Sequence, residues 1–116
     1  MSEATDPTEQ ANRCRNLLFS MVRQALIDHR ANLQSARSEL NAKRRRAGLP
    51  SATDGEALAL AMSKEPAIWL LSEDIGRMSF RWCCEHIGVD PSWVRVRMNR
   101  REFGFSLDRH EKQKAA

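Results

Sequence analysis

The 116-residue chain contains no tyrosine, and only 6% of its residues are aromatic. It has five glycines and four prolines. The glycines are scattered, with no G-x-G and no GK followed by Ser or Thr, which excludes a glycine-rich phosphate loop. No apolar run approaches the roughly 18 residues a membrane-spanning helix needs. The first ten residues, MSEATDPTEQ, carry neither a basic nor an apolar stretch, so no secretion signal is expected. Cysteine is rare and odd in number: Cys14, Cys83 and Cys84. Neighbouring Cys83 and Cys84 are poorly placed to pair, so a disulfide framework is not expected and a reduced, cytoplasmic protein is. There is no convincing β-strand alternation and no tandem repeat. The fold class that remains is all-α, in a chain long enough to bury a core without metals.

The chain has charge in abundance, and it is segregated. Residues 1–11 carry three acids and no base, and residues 12–47 carry nine Lys/Arg against two acids. Residues 48–92 carry three bases against seven acids, and residues 93–116 seven against three. Two basic blocks thus flank an acidic middle, a pattern that suits a polyanionic partner, nucleic acid above all.

From about Glu9 the pattern is helical. Val22, Leu26, His29, Leu33, Ala36 and Leu40 recur at alternating steps of four and three, one face of a helix. No Gly or Pro interrupts residues 9–46. That stretch is one long basic helix, or two with a break near Asp28–Asn32. Beside the apolar face run Arg23, Arg30, Arg37 and Arg44, seven apart, a stripe that drifts only ~20° per heptad. Val22, Arg23, Leu26, Arg30, Leu33, Arg37 and Leu40 are therefore candidates for an interface with a second copy, a homodimer. Lys43, Arg44, Arg45 and Arg46 close the helix before Gly48 and Pro50 stop it. Residues 1–8 read as a disordered tail, although Asp6-Pro7-Thr8 is also a fair helix start. Residues 108–116 read as a polar tail.

Thr53 or Asp54 caps a short helix to Met62, and Ser63 caps a second with Pro66 in its first turn. Ile68, Trp69, Leu70 and Leu71 are apolar on nearly all sides, which places that second helix in the core; residues 72–78 are a loop. Ser79 then caps a helix whose Phe80, Cys83, Cys84 and Ile87 form one apolar face. Gly88 ends it, and Asp90-Pro91 restarts the chain with Val94 and Met98 inward. Two short helices joined by a glycine-containing turn make a helix-turn-helix-like pair across residues 79–101. The expected architecture is a long N-terminal helix or helical hairpin packed on a small helical cluster, within a helical domain spanning residues 9–107.

The second helix of the pair is rich in arginine, whose planar fork bonds phosphate or guanine in a bidentate way. Ser92 and Arg95, near its start, are the candidates for base edges. Arg97, Asn99, Arg100 and Arg101 are the candidates for phosphate, together with Lys43, Arg44, Arg45 and Arg46. Trp93 reads as a core anchor. Met98 lies one residue later than the usual second inward position, which makes the turn a variant or the pair an ordinary helical hairpin.

The stretch Ile68-Trp69-Leu70-Leu71-Ser72-Glu73-Asp74, then Ser79-Phe80, Cys84, Ile87-Gly88-Val89-Asp90-Pro91 and Val94-Arg95, resembles a group of small phage and bacterial proteins. These share a tryptophan helix, an acidic Ser-Asp/Glu-Asp loop, a Ser-Phe start, a cysteine and an apolar-Gly-apolar-Asp-Pro turn. The resemblance covers about residues 66–98. It implies a helix-turn-helix-like regulator of phage or mobile-element type and no catalytic residue.

Enzyme chemistry finds no support. Cys83, Cys84 and His86 lack the two-residue spacing of zinc ligands, so no metal or other cofactor is expected. Asp28 and His29 are adjacent on a helix and diverge, and His29 sits on the apolar stripe, a core position. Two functions fit the pattern. One is a DNA-binding transcriptional regulator acting on double-stranded DNA through the arginine-rich helix. The other is a small inhibitor that binds a host protein complex, such as RNA polymerase or a defence complex, through its basic surface.

Overall fold

The computed structural model describes residues 7–104. Among them are five helices and no strand: α1 (Pro7–Ala47), α2 (Asp54–Met62), α3 (Glu65–Leu71), α4 (Phe80–Ile87) and α5 (Pro91–Asn99). No helix among the described residues is long and apolar enough to cross a membrane. Residues 1–6 of the expected N-terminal tail, and the C-terminal tail 108–116, lie outside the described residues. Pro7 and Thr8 belong to α1, two residues before the expected start.

α1 is one unbroken helix of 41 residues. At 1.5 Å per residue it is about 60 Å long, and it sets the long dimension of a molecule measuring 69 × 36 × 24 Å. α2, α3 and α4 pack along it and α5 rests on α4, so one face of α1 serves two cores. Toward its N-terminal half, Leu18, Phe19, Val22 and Leu26 meet Leu70 of α3, Phe80, Cys83, Cys84 and Ile87 of α4, and Val94 and Met98 of α5. Toward its C-terminal half, Ala36 meets Ala57 and Ala61 of α2, with Leu33, Leu40 and Leu60 around them. Alanine on both helices allows the two backbones to approach closely.

The apolar stripe expected to pair with a second copy is therefore used within the chain. Val22, Leu26, His29 and Ala36 are buried against the protein's own short helices. Those helices supply the apolar partner that the sequence pattern demanded, so this face offers no seam for a homodimer.

Local signals explain most boundaries. The Thr53 hydroxyl accepts from Glu56 N–H at 3.2 Å while Glu56 accepts from Thr53 N–H at 3.3 Å, a capping box. Asn41 Oδ1 accepts from Ala52 N–H at 2.7 Å and ties the loop before α2 to α1. Ser79 caps α4, and Asp90 caps α5. Ser63 does not cap α3: its hydroxyl donates to Leu60 O at 2.6 Å at the end of α2, and Lys64 takes the N-cap position without a side-chain bond. Ile68 departs from expectation too, 51% exposed on the outer side of α3 while Leu70 is fully buried. A helix of seven residues packed against α1, α2 and α4 still leaves one side outward, however apolar it is all round.

Candidate functional site

Arg95 is, with Ser92, a candidate for reading a base edge. The fold turns Arg95 inward. Its Nε donates to Leu70 O at 3.0 Å and one terminal nitrogen to Ser72 O at 2.7 Å. The other meets Glu73 Oε1 at 3.1 Å, and the guanidinium lies 5.2 Å from the Phe80 ring centroid. The side chain is 18% exposed. The last carbonyls of a helix have no partner within it, and a cation there satisfies both their lone pairs and the helix dipole. Arg95 does this for α3 from a position on α5, fastening the two together. Arg15 does the same for α4, donating to Ile87 O at 3.0 Å while lying over the Phe19 ring at 5.4 Å.

Arg97 is also held. It lies over Trp93 at 4.8 Å and within 3.9 Å of Glu102. The outward face of α5 consists of Ser92, Val96 and Asn99, followed by Arg100, all exposed. Only the last carries charge, because two of the four arginines face the protein and Arg101 follows the helix. The arginine-rich reading face expected of this helix is not what it presents to solvent.

The heptad stripe on α1 divides. Arg37 pairs with Asp54 at 2.5 Å, and Arg44 with Glu56 and the Pro50 carbonyl. These two arginines clamp the acidic first turn of α2. Arg23 and Arg30 are exposed, as are Lys43, Arg45 and Arg46 at the C-terminal tip of α1. Arg30 has a partner of like charge across space: Arg30, Leu33 and Gln34 of α1, with Arg101 and Phe103 beyond α5, line a cleft of about 330 Å³. The two basic blocks of the sequence meet there.

Phe103 carries no signal in the sequence, and Glu73 reads there only as an acidic loop residue. Phe103 follows a basic run with no periodicity to mark it, and its ring meets buried His29 edge-on at 6.2 Å between centroids. Glu73 lies in a loop but joins Arg81 and Arg95, 8 and 22 residues away.

A second, shallower groove of about 400 Å³ lies between α1 and α3 and is lined by Met21, Gln24, Ala25, Asp28, Glu65, Pro66 and Trp69. Its only charges are acidic, so it does not extend the basic face.

No group of three or more His, Cys, Asp or Glu among the described residues is placed to hold a metal. Burial, then the neighbouring Cys83, pushes the Cys84 thiol up to about 12, with Asp90 adding to the rise and Arg95 opposing it. Both core cysteines remain protonated thiols at neutral pH, a poor state for ligation or nucleophilic attack.

His29 is 2% exposed and its Nδ1 has no hydrogen-bond partner. Burial lowers its pKa from the ordinary value of 6.5. The unfolded chain therefore binds a proton at His29 more readily than the folded one. The folded state is not penalised above pH 6.5, and it loses stability as pH falls from there through the lowered value. Thermal melts at pH 7.5 and 5.5 should show the wild type losing more Tm than His29→Leu, which has no proton to bind. Equal losses would refute this.

No family model, curated protein or solved structure matches the chain.

Proposed function

We propose that the protein binds nucleic acid through a basic face that runs along α1 and across to the end of α5. The observation that carries this reading is the shared cleft, which joins Arg30 of the long helix to Arg101 beyond the short one. Arg23, one heptad before Arg30, lies about 10 Å along the helix, and Arg100 neighbours Arg101. These arginines supply phosphate contacts; Ser92 and Asn99 add hydrogen-bonding groups on the adjoining surface. Arg95 and Arg97 hold the helix pair in shape and take no direct part. A regulator of phage or mobile-element type remains the biological setting that the resemblance of residues 66–98 favours.

Titrating fluorescently labelled nucleic acid of fixed length between 50 and 200 mM salt tests this. Affinity should fall steeply with salt, as released counterions require. Replacing Arg23, Arg30, Arg100 and Arg101 together with alanine should flatten the slope by roughly 0.7–0.9 for each arginine that meets a phosphate. Absence of binding to duplex and to single strands at 50 mM salt would overturn the proposal.

A further inference from the structure

α5 closes with Arg101 N–H donating to Met98 O and Glu102 N–H donating to Arg97 O, both at 2.9 Å. This is a Schellman closure, which requires one residue in the left-handed conformation and normally uses glycine. The chain makes the same closure at the ends of α1 and α4, where glycine stands: Gly48 at φ 69° and Gly88 at φ 76°. At the end of α5 the residue is Arg101, at φ 58°. An arginine there costs stability that glycine would not, and strain of this kind concentrates at binding sites.

What the arginine supplies is its side chain in the cleft. Arg101 faces Arg30 across it, and no carboxylate of the described residues pairs with either guanidinium. The remaining walls are the apolar Leu33, the Phe103 ring and the Gln34 amide. Beneath Phe103 lies His29, a fully buried polar ring with an unsatisfied nitrogen, a second feature that stability alone does not favour. Two unpaired guanidiniums select a phosphate, and the half-buried Phe103 ring offers an aromatic wall that selects a flat ring. A volume of about 330 Å³ is near the lower end of small-ligand pockets, about 300–1,000 Å³, and suits one such unit.

We infer that this cleft captures a single unpaired nucleotide, with its phosphate between Arg30 and Arg101, its base against Phe103 and Gln34 at the base edge. The inference rests on the nucleic-acid reading and sharpens it. A base stacked in a duplex cannot enter, so the protein prefers single-stranded or locally opened strands.

The test compares a labelled 12-nucleotide single strand, the matching duplex and adenosine monophosphate as competitor, using wild type, Arg101→Gly and Phe103→Leu. The single strand should bind at least about 10-fold tighter than the duplex. Arg101→Gly should keep or raise Tm, because glycine suits the backbone, while weakening single-strand binding about 10-fold. Phe103→Leu keeps an apolar wall but removes stacking; it should weaken single-strand binding about 10-fold and leave duplex binding unchanged. Equal affinity for single strand and duplex overturns the inference, as does a Phe103→Leu variant that weakens both alike, yet either result leaves nucleic-acid binding standing. Binding of neither strand form, with adenosine monophosphate bound in an Arg101-dependent way, keeps the nucleotide cleft and removes the proposed function. Failure of all three ligands removes both.

Discussion

Replacing Arg95 with alanine should destabilise the protein by about 2–4 kcal/mol and lower Tm by on the order of 10–20 °C. Two backbone carbonyls, Leu70 O and Ser72 O, would lose their donor. The face of Phe80 would lose the guanidinium at 5.2 Å. The ion pair with Glu73 adds little, since that carboxylate is 76% exposed and screened. Arg95→Lys should recover less than half of the loss, because one ammonium cannot reproduce a planar fork reaching two carbonyls and a carboxylate. Circular dichroism melts measure the stability. Nucleic-acid affinity measured at low temperature, where the variant is still folded, supplies the control. An unchanged Tm with abolished binding would return Arg95 to the role of a base-reading residue.

Phe80→Ala should cost about 3–5 kcal/mol, half or more of what a small domain commonly has to lose. Phe80 is fully buried at the first position of α4. The Trp69 ring meets it nearly edge-on, at 5.6 Å and 71°, and Arg95 covers its face. The cavity would open where α3, α4 and α5 join, beside Leu70 and Cys84 in the same cluster, so the helix pair would loosen before α1 does. Phe80→Leu should cost less, since it restores most of the volume without the ring contacts. The double variant with Arg95→Ala should lose less than the sum of the two, because they share the ring contact. A Phe80→Ala shift of under about 2 °C would mean that this junction is not the core. Chemical denaturation followed by tryptophan fluorescence reads the effect directly, with Trp69 in contact with the ring.

The local elements were legible because their signals are local. Ser79, Gly88, Asp90 and Pro91 mark the ends of α4 and α5 through caps and φ preferences that act within a few residues. Phe80, Cys83, Cys84 and Ile87 announce a buried face by spacing alone, and each is fully buried. The helical character of 9–46 was equally plain, but a break near Asp28–Asn32 remained open in the sequence, and the structure makes α1 continuous. Ser63 was misread because its hydroxyl has two lawful partners, the next helix's N–H groups or the preceding helix's carbonyl, and sequence does not rank them.

The candidate site was legible in composition and illegible in detail. Charge counting finds the arginines but not their directions. Arg95 and Arg100 look alike in the sequence. One is pinned beneath α3 and the other is exposed, because helix phase and the position of a helix 25 residues earlier decide between them. Arg37 and Arg44 likewise look like members of an open basic stripe. They are neutralised by Asp54 and Glu56, acids brought alongside only when α2 folds back along α1.

The amino-acid sequence by itself thus determined an all-helical protein, most of its helix ends and the inward faces of α4 and α5. Those follow from turn chemistry and a 3.6-residue period, interactions that reach only a few residues along the chain. The tertiary structure alone decided that the apolar stripe of α1 is covered by the protein's own helices. It alone decided which arginines close helix ends and which remain for a partner, and it alone brought Arg30 and Arg101 together. Those outcomes depend on packing and electrostatics between residues as much as 72 positions apart, over which sequence spacing carries no directional information.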